Sequence, residues 1–118
     1  MAQVIGTERT YGAATSFGAT FIGGGKVALT SKMDAMSMEV GGYQNDNRQA
    51  GLLTEILNHV TQATGSESFA TATDNLLGAR WAKMSINAAF SGLSVVTGLT
   101  FGEVAKKHKT RKLALCIL

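Results

Sequence analysis

Residues 74–98, DNLLGARWAKMSINAAFSGLSVVTG, restrict the fold most, because they hold a helical pattern whose polar residues form a strip rather than a broad face. At about 100° per residue, Arg80, Lys83, Asn87, Ser91 and Ser94 project within about 80° of one another. Trp81, Met84, Ile86, Ala88, Ala89, Phe90 and Leu93 occupy the remaining faces. An ordinary surface helix has a wide charged side. This pattern predicts instead a rod that is buried except for one narrow polar seam. Buried polar groups without partners are costly, so the seam meets water in a cleft, another polar surface or a ligand. The alternative is a lysine that snorkels from a core helix while Asn87 and Ser91 bond the neighbouring backbone. Spacing alone admits both. Thr71 and Asp74 have the spacing of a helix start, and Gly98 supplies the stop.

Ahead of this helix the chain reads as strands. Residues 10–22 mix Thr, Phe, Tyr and Ile with Gly, as in a strand with a close neighbour. Gly23, Gly24 and Gly25 make a turn, residues 26–30 a second strand, residues 31–34 a turn and residues 35–40 a third strand, giving an antiparallel meander. The triple glycine fits neither GxxxxGK[ST] nor GxGxxG, and a strand rather than a helix follows it, so it reads as a hairpin turn and not a phosphate loop. A helix over residues 45–64 repeats Leu52, Leu53, Ile56, Leu57, Val60 and Ala63 on one face, with Gly65 as its stop. His59 lies at the edge of that face and reads as a surface residue. Residues 67–70 form an extended connector, and Thr100 with Glu103 opens a last helix over residues 103–118. Its apolar ending, LALCIL, reads as a helix cut in its middle. The fold class is therefore α+β, short antiparallel strands followed by three helices.

Composition removes several classes. The 118 residues, 45% hydrophobic, suffice for one packed domain or a piece of a larger one. One cysteine, Cys116, excludes an internal disulfide, and no Cys/His grouping has zinc spacing, so no metal is expected. The N-terminus lacks the pattern of a secretory signal, and residues 84–102 hold too many Ser, Thr and Asn to span a membrane. A soluble protein in the reducing cytoplasm is the reading. Net charge is +3, but five Lys/Arg fall within residues 106–112, KKHKTRK. Without interleaved aromatics this reads as a solvated basic face rather than a nucleic-acid patch.

The run RWAKMSINAAFSGLSVVTGLTFGE, with its W-x-K-x-x-x-N spacing and later Gly-Glu pair, resembles the 2-dehydropantoate 2-reductase (ketopantoate reductase) family. The order of elements is similar too, strands then a helix then the lysine helix. The resemblance implies a fragment of a Rossmann-plus-helical-domain oxidoreductase. Residues 1–42 would be the terminal strands of the nucleotide-binding domain, and residues 43–118 the first part of the helical C-terminal domain. It implies NADPH-dependent reduction of a 2-keto acid, 2-dehydropantoate to pantoate or similar, in pantothenate biosynthesis. The GxGxxG region for NADPH is not among these residues, so the isolated chain is expected to be inactive. Lys83 matches the family's catalytic lysine, and Asn87 its substrate-binding asparagine. Ser91 stands where the family commonly has a second asparagine, which puts ketopantoate itself in question. The expected partners are a small 2-keto acid and further copies of the chain, with no nucleic acid or membrane. The rival reading is a small non-enzymatic interaction or dimerisation module.

Overall fold

The computed structural model describes residues 1–43, 47–63, 65 and 68–118. In chain order the elements are α1 (Ala2–Ile5), β1 (Tyr11–Ser16), β2 (Ala19–Gly23), β3 (Lys26–Leu29), a 3-10 turn (Met33–Ala35), β4 (Ser37–Gly42), α2 (Ala50–Ala63), β5 (Ala70–Ala72), α3 (Leu76–Thr97), α4 (Phe101–Lys106) and α5 (His108–Ile117). The α+β class is borne out. The chain divides into two compact units, Met1–Ala79 and Arg80–Leu118.

In the first unit the strands do not form the expected meander. The strand predicted over residues 10–22 is two, separated at Phe17 and Gly18, whose N–H donates to the Ser31 hydroxyl at 2.6 Å. β1 pairs antiparallel with β4, Tyr11 opposite Gly42 through Ser16 opposite Ser37, while β2 and β3 form a separate hairpin closed by Gly23, Gly24 and Gly25. All three glycines have positive φ, a backbone conformation open to glycine and strained for other residues. A third strand of this sheet begins at the last residue of the predicted connector, whose first residue, Glu67, lies outside the described residues: β5 lies parallel to β4, Met38 opposite Ala70 through Val40 opposite Ala72. A parallel neighbour requires a crossover, and α2 supplies it.

α2 begins at Ala50, and its expected start at residue 45 and end at residue 64 lie outside the described residues. Ala50 and Thr54 are buried against the sheet side, and Asn58 holds β5 directly. The predicted apolar face is rotated partly outward: Leu52, Ile56 and Val60 are each more than half exposed, while Leu53 and Leu57 stay half-buried beside Met38 and Val40. Asn58 explains the rotation. Its amide bonds the backbone of Phe69 and Ala70, which turns the helix edge of small and polar residues inward. Where α3 begins, Leu76 is buried over the glycines of β1 and β4. A Cβ on Gly41 would lie 2.8 Å from Leu76 Cβ and 2.9 Å from the Thr73 carbonyl oxygen. The helix start is set by Asn75, whose Oδ1 accepts from Gly78 N–H at 3.0 Å, and not by Thr71, which belongs to β5.

In the second unit, α3 ends at Gly98 as expected. Thr100 caps α4, its hydroxyl accepting from Glu103 N–H at 3.3 Å while the Glu103 carboxylate accepts from Thr100 N–H at 2.8 Å. The single last helix expected over residues 103–118 is two. Lys107 leaves helical geometry, with φ −74° and ψ 125°, and Thr110 donates its hydroxyl back to the Val104 carbonyl across the break. Among the described residues four helices rather than three therefore follow β4. Ala89, Val104 and Ala114 are buried in this unit, and the rings of Phe90 and Phe101 pack with centroids 6.1 Å apart.

Candidate functional site

α3 places the predicted residues on one strip because nothing interrupts it: 22 residues without proline or an acidic side chain. Arg80, Lys83, Asn87, Ser91 and Ser94 all lie on its second-unit portion. Lys83, Ser91 and Ser94 are half-buried, whereas Arg80 and Asn87 are exposed. The buried side of the helix is opposite, at Ala89, which is 0% exposed. By helical geometry Ala89 projects about 160° from Asn87. The strip therefore lies largely opposite Ala89, with Lys83, Ser91 and Ser94 partly covered and Arg80 and Asn87 open.

The expectation of a rod buried on its other faces does not hold. Trp81, Met84, Val95 and Val96 are all more than half exposed. The physical reason is the number of neighbours within the unit. The ring of Phe90 packs on Phe101 of α4 and Ala89 is buried, while Trp81, Met84, Val95 and Val96 of the same helix lack such cover. The polar strip thus has an apolar flank, Trp81 and Met84, rather than apolar walls.

The strip residues differ in what their side chains do. Ser94 donates its hydroxyl to the Leu99 carbonyl and so serves the turn after the helix. Lys83, Asn87 and Ser91 make no side-chain hydrogen bond or ion pair among the described residues. The alternative in which Asn87 and Ser91 bond neighbouring backbone is not found. An ammonium, a carboxamide and a hydroxyl are left along about two turns, a set that donates to a carbonyl or carboxylate oxygen.

The acidic side chain of this unit, Glu103, is occupied. The Thr100 N–H and then the Thr100 hydroxyl hold its carboxyl below the ordinary 4.5, and the charge of Lys107 adds to the effect. The cations of residues 106–112 straddle the α4–α5 break and are all exposed. His59 is exposed, as read from the sequence, and borders an open cleft of about 570 Å³ with Glu55, Ile56, Gln62 and Ser68. Glu55, one turn before His59, has no signal in the sequence beyond its i−4 spacing. Among the described residues no group of three His, Cys, Asp or Glu is placed to hold a metal ion. Among the same residues no helix is long and apolar enough to cross a membrane.

Residues 75–118 match the family described as ketopantoate reductase PanE/ApbA C terminal. No curated protein and no solved structure matches the chain. The matched stretch contains Lys83, Asn87 and Ser91 together with the Gly102–Glu103 pair of the capping box. Over residues 75–118 the chain is therefore similar to the C-terminal domain of that family.

Proposed function

We propose that this chain carries the lysine helix of an NADPH-dependent oxidoreductase that reduces a 2-keto acid in the cytoplasm. The observation that carries the reading is the strip on α3, where Lys83, Asn87 and Ser91 share one side and have no partners among the described residues. Reduction of a 2-keto acid turns a carbonyl oxygen into an alkoxide. The Lys83 ammonium donates a proton to that oxygen as its charge develops, which lowers the barrier. Asn87, one turn on, orients the carbonyl and its carboxylate. Ser91 holds a more distant group through its short hydroxyl or a bridging water. NADPH supplies the hydride in this family, but the described residues do not fit its pyrophosphate. The triple glycine, Gly23–Gly25, closes a hairpin and leads into β3 rather than a helix N-terminus. In this reading, residues 1–42 close a nucleotide-binding domain and residues 43–118 begin the substrate domain.

The test is turnover in the full reading frame that contains these residues. Lys83→Ala should lower kcat by roughly 10² to 10⁴, and Asn87→Ala should act more on KM. Near-native turnover in Lys83→Ala would remove the proton-donor assignment. A second reading, a non-enzymatic interaction or dimerisation module, is favoured by the outward ridge Leu52, Ile56 and Val60 on α2. It predicts self-association that Ile56→Lys abolishes, measured by light scattering over a concentration series.

A further inference from the structure

α3 carries a second cation that the reading above leaves without work. Arg80 stands one turn before Lys83 on the same strip, about 5–6 Å away between Cβ atoms. Helical side chains lean toward the N-terminus, so the Lys83 ammonium reaches toward the turn that holds Arg80. Arg80 is exposed, and among the described residues neither cation has an ion-pair or hydrogen-bond partner. α3 has no acidic residue to compensate them. Like charges at this spacing repel, and an anion between or beside them relieves that repulsion.

We propose that Arg80 sets the substrate class: a 2-keto acid with a second carboxylate at the end remote from the reacting carbonyl. The inference rests on the reading that Lys83 and Asn87 hold the reacting end. From there a bound molecule extends along the strip either toward Ser91 or toward Arg80. Ser91 offers one short neutral hydroxyl. Arg80 offers paired N–H donors that match both oxygens of a carboxylate, which an ammonium does not. A five-carbon diacid is about as long as one helical pitch, ~5.4 Å, so its two ends reach successive turns of the strip. A keto acid that ends in a methyl or neutral hydroxyl leaves Arg80 unused.

The test is backbone-amide NMR of the 118-residue chain, titrated with 2-oxopentanedioate and with 2-oxopentanoate at one fixed ionic strength. The two acids share carbon count and reacting end and differ only in the far group. Signals of α3 are followed, which separates this binding from charge attraction to residues 106–112. The diacid should bind roughly three- to tenfold more tightly. Arg80→Gln should bring that ratio to about one, and Arg80→Lys should restore part of it. Equal affinities in the native chain, or a preference that survives Arg80→Gln, would overturn the assignment of Arg80 while leaving Lys83 in place. If neither acid moves the signals of Lys83 and Asn87, the reading of the reacting end fails, and the substrate class fails with it.

Discussion

Asn58 pairs with both backbone groups of Ala70: its Nδ2 donates to the Ala70 carbonyl at 2.8 Å and its Oδ1 accepts from the Ala70 N–H at 2.9 Å. One side chain on α2 thus stands in for a neighbouring strand at the free edge of β5. The same Oδ1 also accepts from Phe69 N–H at 3.1 Å. Ala70 is only 5% exposed, so water does not readily replace these bonds.

Asn58→Ala should therefore destabilise the first unit by about 1–3 kcal/mol, the cost of stranding buried backbone groups. Urea denaturation followed by circular dichroism measures it. A change below about 0.5 kcal/mol, typical of a surface substitution, would show that β5 is held by something else.

Gly41→Ala and Gly51→Ala should act in opposite directions. At Gly41 a methyl group meets Leu76 Cβ and the Thr73 carbonyl within 2.9 Å, so backbone must move, at a cost of about 1–3 kcal/mol. At Gly51, inside α2, it meets nothing within 4 Å. There alanine should stabilise by up to about 1 kcal/mol through helix propensity. Thermal melts of the two variants side by side decide the matter.

Glu103 makes the capping of α4 depend on acid. Its carboxyl is held below the ordinary 4.5 by hydrogen bonds from Thr100 that only the charged form accepts fully. A depressed folded value means the contribution is present above the unfolded pKa and is lost as pH falls through the folded one. Below the ordinary carboxylate range the α4 helix signals should weaken. Thr100→Ala should move the Glu103 titration, followed by side-chain NMR, back toward 4.5.

NADPH should show no salt-resistant binding to these 118 residues. The exposed cations of residues 106–112 attract its phosphates by charge alone. Such attraction fades as salt rises past the physiological range, where the Debye length is about 8 Å. Fluorescence titration at low and high salt separates the cases. Tight binding at high salt would reveal a dinucleotide site elsewhere in the chain.

Local signals were legible in the sequence, and tertiary ones were not. The strip on α3, the Thr100–Glu103 box and the Gly23–Gly25 turn each depend on residues a few positions apart, and each stands as read. β5 is only Ala-Thr-Ala, too short for a periodic pattern, and it exists because β4 and Asn58 satisfy its backbone. On α2 apolar spacing names Leu52, Leu53, Ile56, Leu57, Val60 and Ala63 as the inner face, yet only Leu53 and Leu57 are half-buried. The bonds of Asn58, eleven and twelve residues from their partners, choose another. The break at Lys107 falls in a run of cations that reads as continuous helix, and the Thr110–Val104 bond that accompanies it is not a helical spacing. A polar strip reports which side is wet, but not how many neighbours cover the others.

Because β1 pairs with β4 and not with β2, the β2–β3 hairpin hangs outside the three-stranded sheet. Its tip, Gly23–Gly25, has no atom within 4 Å of where side chains would begin. Lengthening a loop that is already closed costs little more than the logarithm of its added length. A peptide tag or a small fluorescent reporter inserted after Gly24 should therefore leave the Tyr11–Gly42 register undisturbed. The hairpin is a natural handle by which this chain can be immobilised or observed.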